Sequence, residues 1–229
     1  MDPGQLFSDE RFDGMCVYCG APDTTGDHVP SKVLLDEPYP NNLPKVPACQ
    51  ECNNLFSADE PYLACLIECA LTGTVDPALV RREKIRRILT ERPHFGVQIL
   101  AGRREENGTL LWAPDEERVR NVVLKLVQGH VAYELGEPRR EEPESFSIAP
   151  LCALNPHQRE QFEIAPEEAG WPELGSRAFL RTLLPSNDVI VDQGWLVVQP
   201  GRYRYLVAES HGPLVRVVLS EYLACEAVW

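Results

Sequence analysis

The sequence predicts an α+β protein in which a small zinc-bound module of two strands and a helix precedes a larger α+β region. Two C-x₂-C pairs near the N-terminus indicate the module, because a short sequence with paired cysteines needs a metal to hold it together. Helical apolar spacing in the middle of the chain and alternating strands at its end indicate the second part. The module covers residues 1–75 and the α+β region residues 76–229.

The module is expected to contain two short strands, a long loop and a helical arm. The first strand ends on Asp27-His28, and the loop that follows is rich in Pro and Asn. Ser57-Ala-Asp-Glu60 has the form of a capping box and predicts a helix start before an apolar run. In order, these elements are residues 24–29 (strand), 30–44 (loop), 45–48 (strand), a helical arm from Cys49, and 62–71 (apolar helix).

The larger region is expected to alternate helical segments with strands. Turn residues predict a linker over residues 72–77. Pro114 and Gly136 flank a helical pattern with the expected start and stop signals, and His130 on its apolar stripe is interpreted as a core histidine. The predicted elements are residues 78–91 and 115–135 (helices), 146–151 (strand), 171–184 (partly helical), and four strands over residues 189–191, 195–199, 202–209 and 214–218, running on to Trp229.

Four cysteines have the spacing of a structural zinc site. Cys16 and Cys19 form one C-x₂-C pair, Cys49 and Cys52 form the other, and 29 residues separate Cys19 from Cys49. Four thiolates complete a tetrahedral zinc site and leave no position open for substrate. The other four cysteines lie in apolar contexts and are interpreted as buried small residues: Cys65, Cys69, Cys152 and Cys225.

Polar residues between and after the two cysteine pairs could carry chemistry. Asp27 offers a hard oxygen ligand, His28 a nitrogen base, and Asn53 a second oxygen directly after the last cysteine. Neighbouring side chains on an extended strand point to opposite faces, so a bend must bring Asp27 and His28 to one site. The alternative is a zinc-bound loop in which Asp27 caps a turn and His28 packs in the interior.

Together these residues resemble the HNH (His-Me finger, ββα-metal) endonucleases of the zinc-bound, treble-clef-like type. The resemblance covers roughly residues 14–64 and includes the elements Cys16-x₂-Cys19, Asp27-His28-Val-Pro30, Asn42-Leu43 and Cys49-x₂-Cys52-Asn53 in that order. It implies a nuclease that hydrolyses phosphodiester bonds of nucleic acid, DNA in most members. Defence of bacteria against foreign DNA is among the roles that the family serves.

The resemblance implies a role for each matching residue. His28 would be the general base, Asp27 and Asn53 would bind a catalytic Mg²⁺ or Mn²⁺, and Asn42 would steady the loop that carries the histidine. Asn54 could replace Asn53 if the register differs by one residue. Many family members have a phosphate-binding lysine three residues after the last Asn, and this chain has Phe56 there.

The net charge of −13 is unusual for a protein that binds nucleic acid, because phosphate contacts dominate such binding. Residues 1–75 hold three basic residues and twelve acidic ones. Residues 79–92 form a basic helical segment, with six basic residues and two acidic ones. The residues predicted to contact nucleic acid are Lys32, Arg81, Arg82 and Arg86.

The acidic balance also favours a protein partner, and it leads to a second hypothesis. In that hypothesis the chain is a catalytically degenerate zinc-binding module that acts as a protein-interaction subunit. No apolar run approaches the about 20 residues of a membrane helix, so no membrane partner is expected. Cysteines in metal spacing and an N-terminus without a signal-peptide pattern predict a reducing, cytoplasmic location.

Overall fold

The computed structural model describes residues 13–40, 43–106, 108–166, 190–209 and 212–229. A long buried helix, α4 (Glu116–Leu135), lies between the cysteine-bearing strands and a six-stranded sheet, and it contacts both. The protein therefore has mixed α and β structure, as the sequence predicts. Among the described residues, no helix is both long and apolar enough to cross a membrane.

The cysteine-bearing part has the predicted order of strand, strand and helix. Strand β1 (Thr25–His28) pairs antiparallel with β2 (Lys45–Ala48), in a register that sets His28 opposite Lys45. A single 3-10 turn (Lys32–Leu34) lies in the loop between them. Cys49 caps the N-terminus of α1 (Gln50–Thr72) with its sulfur, which accepts the backbone N–H of Cys52.

Helix α1 is continuous through Pro61, so the predicted helix start at residues 57–60 is wrong. Ser57 donates its hydroxyl to the backbone carbonyl of Asn54 one turn earlier, as a residue inside a helix does. Pro61 removes one backbone hydrogen bond, but the turns that follow bury Tyr62, Leu63 and their neighbours almost completely. The helix ends at Gly73, whose φ of 71° is left-handed.

The second helix is shorter than predicted, and three elements after it were not predicted. Helix α2 begins at residue 83 instead of 78, because residues 77–79 form a turn. Pro93 then starts a separate short helix in its first turn, where the missing N–H costs nothing. The observed bounds are α2 (Glu83–Glu91), α3 (Pro93–Ala101), β3 (Arg103–Glu106) and β4 (Thr109–Trp112).

Helix α4 matches its prediction closely. The side chain of Asp115 accepts the backbone N–H of Arg118 at the N-terminus, and Gly136 ends the helix with a φ of 76°. His130 is fully buried, and its Nε2 lies 2.8 Å from the hydroxyl of Tyr203 on the sheet. The interpretation of His130 as a core histidine is confirmed.

The C-terminal half forms an antiparallel sheet of six strands. The strands are β5 (Ser145–Pro150), β6 (Ile190–Asp192), β7 (Trp195–Gln199), β8 (Tyr203–Glu209), β9 (Pro213–Leu219) and β10 (Leu223–Val228). Their order across the sheet is β5-β10-β9-β8-β7-β6. Helix α5 (Pro156–Glu163) begins at a capping box made by Asn155 and Gln158. The predicted helical segment at residues 171–184 lies outside the described residues.

One hydrophobic cluster joins the two parts of the chain. It includes Cys16 of the cysteine cluster, Val29 directly after β1, most of the apolar face of α4, Cys225 of the last strand and Trp229 directly after that strand. The small cysteine-bearing part therefore shares its core with α4, as a ββα unit with few apolar residues requires. The division into residues 1–75 and 76–229 stays a prediction.

A glycine sets how closely α4 approaches Val29, the residue directly after β1. A Cβ on Gly129 would lie 2.6 Å and 3.1 Å from the two methyl groups of buried Val29. Val29 is β-branched and held in the core, so it cannot move aside easily. We expect Gly129→Ala to lower the free energy of unfolding by about 1–3 kcal/mol, measured by urea denaturation.

Gly96 in α3 is the matched control for Gly129. A Cβ there would meet its nearest neighbours at 3.9 Å or more, which is ordinary contact. Gly96→Ala should therefore stabilise the protein by up to about 1 kcal/mol through helix propensity. Equal effects of the two substitutions would contradict the close approach at Gly129.

Candidate metal centre and adjoining polar site

The four predicted zinc ligands lie together. Cys16 and Cys19 come from a tight turn closed by hydrogen bonds from Cys16 N to Ala21 O (2.7 Å) and from Gly20 N to Cys16 O (2.9 Å). Cys49 and Cys52 come from the first turn of α1. All four sulfurs lie within 4.8 Å of one another, and they form the one metal-type cluster of His, Cys, Asp and Glu side chains found among the described residues.

The spacing of the sulfurs fits a tetrahedral zinc ion. Zinc–sulfur bonds of about 2.3 Å place neighbouring sulfurs about 3.8 Å apart, and the sulfurs of Cys19 and Cys49 are 3.6 Å apart. A disulfide would need about 2.05 Å, and all four cysteines are free thiols. Cys16, Cys19, Cys49 and Cys52 would hold the ion and tie the first turn to the start of α1.

Backbone geometry prepares one of these thiols for metal binding. The N–H of Cys52 points at the sulfur of Cys49 from 3.4 Å and, with the neighbouring thiols, lowers the pKa of Cys49 to about 7. Burial raises the pKa of Cys52 above its usual value. Zinc binding requires thiolates, so occupation of this site releases protons.

Asp27 is buried, and both of its carboxylate oxygens have partners. The hydroxyl of Tyr18 donates to Oδ2 at 2.6 Å, and the ammonium group of Lys125 on α4 donates to Oδ1 at 2.9 Å. The same ammonium donates to the hydroxyl of Ser31 at 2.9 Å and to the carboxylate of Glu60 on α1. A divalent ion bound to Asp27 would lie beside the ammonium group of Lys125, and repulsion between the two cations opposes the predicted catalytic Mg²⁺ or Mn²⁺.

Phe56 belongs to the same buried cluster. Its ring lies edge-on to Tyr18, with ring centroids 4.9 Å apart, and the ammonium group of Lys125 lies 5.3 Å from its centroid. The resemblance places a phosphate-binding lysine at this position in many HNH nucleases. Here the position is apolar and buried, so it cannot bind phosphate.

His28 lies on the opposite face of β1 from Asp27. Strand side chains alternate between faces, and Asp27 is buried while His28 is half-buried. Burial, followed by the positive charges of Lys32 and Lys45, lowers the pKa of His28 below its ordinary value. The imidazole is therefore neutral near pH 7 and able to accept a proton.

Asn53 faces β1, whereas Asn54 does not. The side-chain amide of Asn53 donates to the hydroxyl of Thr25 at 3.4 Å, and Thr25 shares a strand face with Asp27. Asn54 is exposed and accepts a hydrogen bond from Gln50 on its own helix. Of the two asparagines, Asn53 is therefore the one that contacts the face of β1 that carries Asp27. Asn42 lies outside the described residues.

The four predicted nucleic-acid contacts have different environments. Arg81 and Arg86 are exposed, and Lys32 is exposed at the 3-10 turn. Arg82 is buried, and its guanidinium group donates to the carboxylate of Asp36 at 2.7 Å and to the carbonyl of Leu35 at 2.9 Å. Arg82 anchors the loop after β1, because α2 begins one residue later and turns this side chain inward.

Comparison with known proteins finds no family model, no curated protein and no solved structure that matches this chain. The four-cysteine cluster is the part of the predicted site that the structure supports directly. The sequence did not indicate Lys125 and Tyr18 as partners of Asp27, or Glu60 as a second carboxylate partner of Lys125. Lys125 lies 98 residues from Asp27, so no local pattern could have linked them.

We expect one zinc ion per chain. Cys49→Ala should lose the metal and most of the helical signal of the N-terminal part, because a structural zinc site contributes directly to folding. The zinc-to-protein ratio by plasma mass spectrometry and the far-ultraviolet circular dichroism spectrum test this. The interpretation of Cys152 as a buried residue is wrong, because its side chain is exposed. Cys152→Ala is therefore the control, since Cys152 is also distant in sequence from the cluster. A folded, zinc-loaded Cys49→Ala protein would contradict the assignment.

We expect Lys125→Met to lower the free energy of unfolding by about 3–5 kcal/mol, because it leaves the buried carboxylate of Asp27 and the partly buried carboxylate of Glu60 without a counter-charge. Urea denaturation measures this loss. The triple variant Lys125→Met, Asp27→Asn, Glu60→Gln removes all three charges and should recover most of it. A loss within about 0.5 kcal/mol in the single variant, as for a surface site, would contradict this role.

Proposed function

We propose that the chain is a zinc-bound phosphodiester hydrolase of the HNH type that acts on nucleic acid, with His28 as its general base. The observation that carries the proposal is the position of His28. It lies half-buried at the end of β1, opposite Lys45, while the other end of β1 pairs with Ala48 beside Cys49. The positive charges of Lys32 and Lys45 help to lower its pKa. The resemblance makes DNA the expected substrate.

The chemistry proposed for His28 is the activation of water. The neutral imidazole accepts a proton from a water molecule, whose oxygen forms a bond to phosphorus as the ester bond on the far side breaks. Solvent supplies the proton that the leaving oxygen takes up. Positive charge from Lys32 and Lys45 would stabilise the charge that builds up on the phosphate oxygens.

The resemblance implies Mg²⁺ or Mn²⁺ between Asp27 and Asn53, but Lys125 and Tyr18 donate hydrogen bonds to the two oxygens of Asp27. The plasmid assay therefore has arms with Mg²⁺, with Mn²⁺ and with neither ion.

The buried pair of Asp27 and Lys125 favours a second candidate function. If Asp27 has only a structural role, the HNH site is degenerate and the chain is a zinc-bound interaction module. The net charge of −13 would then suit a basic protein partner better than nucleic acid. The two candidates differ in whether substitution of His28 removes an activity.

We expect the zinc-loaded protein to nick supercoiled plasmid DNA, and His28→Ala to reduce the rate by about 10²–10⁴-fold, as for loss of a general base. Nicked and supercoiled forms are quantified on agarose gels at matched zinc content. His94→Ala is the control, because His94 is an exposed histidine on α3. If no ion condition gives nicking by the wild type above the His28→Ala level, the nuclease proposal fails and the interaction module takes its place.

A further inference from the structure

The outward face of the β1–β2 ribbon brings a lysine next to His28. Lys45 lies directly opposite His28 in the antiparallel register. Opposite residues of an antiparallel pair extend from the same face, with Cβ atoms about 4.5–5.5 Å apart. The ammonium group of Lys45 is therefore tethered to the strand that neighbours the proposed base.

Gly26 determines where the side chain of Lys45 lies. Gly26 and His28 share a face of β1 because they are two residues apart. A Cβ on Gly26 would lie 2.1 Å from Cε of Lys45 and 2.9 Å from its Nζ. The side chain of Lys45 therefore lies across the bare backbone of Gly26 while remaining exposed. Any larger residue at position 26 would push this side chain away.

The charge of Lys45 is available to a ligand. Lys45 is exposed, and among the described residues its ammonium group has no carboxylate or hydrogen-bond partner. Lys125, in contrast, is fully buried and paired with Asp27 and Glu60.

Lys32 adds a second positive charge near His28. It lies four residues after His28, at the start of the 3-10 turn, and its side chain is exposed. Lys32 and Lys45 both help to lower the pKa of His28. Two ammonium groups beside an imidazole match the charge and the hydrogen-bonding needs of a phosphate group.

We propose that Gly26, His28, Lys32 and Lys45 form a binding site for one backbone phosphate of nucleic acid, in which Lys45 is the anchor and Gly26 the positioning residue. The inference rests on the proposed function, since it places the scissile or a neighbouring phosphate beside His28. In this site a residue of β2 makes the phosphate contact that many HNH nucleases make from the helix position where this chain has Phe56.

The test is the salt dependence of binding to a fluorescein-labelled duplex DNA, measured by fluorescence anisotropy with the zinc-loaded protein. Lys45→Gln should lower the slope of log affinity against log salt concentration by about one, and it should weaken binding equally for unrelated sequences. Lys45→Arg should keep the slope of the wild type. Gly26→Ala should change it in the same direction as Lys45→Gln while zinc content and thermal stability are kept.

Arg104→Gln is the control for a positive charge elsewhere on the surface, because Arg104 is exposed on β3, where it lies 3.4 Å from Glu106. Equal slopes for Lys45→Gln and wild type, or equal losses for Lys45→Gln and Arg104→Gln, would overturn the phosphate site. Absence of measurable binding by the wild type would overturn it as well.

The nicking assay separates this inference from the proposed function. Lys45→Gln should raise KM more than it lowers kcat, since it removes binding and leaves His28 in place. Lys45-dependent DNA binding without any nicking would support the phosphate site and reject the hydrolase. Nicking with unchanged KM and salt slope in Lys45→Gln would support the hydrolase and reject the phosphate site.

Discussion

The arrangement of this protein depends on the hydrogen bonds and ion pairs made by the ammonium group of Lys125. This group is a fully buried charge, and such a charge is tolerated only with partners. Asp27 comes from β1, Glu60 from α1 and Ser31 from the loop, so a single group fixes three segments against α4. Zinc would hold the cysteine turn to α1, and the Lys125 contacts tie β1 and α1 to α4.

The alternation of side chains along β1 gives its two faces different tasks. Thr25 and Asp27 face inward, where Asn53, Tyr18 and Lys125 contact them. The other face carries Gly26 and His28 and remains partly open. An ion-binding site that uses both Asp27 and His28 needs the two faces to converge, and the buried ion pair opposes that convergence. Phosphate binding on the outer face needs no such change.

The proposed phosphate site is compatible with an acidic chain, because binding depends on the charges near the site. Charges on the surface are screened beyond about 8 Å at physiological salt, so the total of −13 matters less than the groups around His28. The basic segment at residues 79–92 contributes less positive charge to the surface than its composition indicates, because Arg82 is buried and paired with Asp36. Positive charge next to the proposed base comes from Lys32 and Lys45 instead.

The sequence by itself determined the features that depend on short-range geometry: the cysteine spacing, the paired strands, and α4 between Asp115 and Gly136. It misplaced the start of a helix at Ser57, since the cap at Cys49 lies two turns earlier and the buried residues after Pro61 sustain one helix. Only the tertiary structure decided the partners of Asp27 and Arg82 and the position of Lys45 beside His28. Packing brings these residues together across tens of residues or across a strand pair, and the energy of a buried charge depends on its partners.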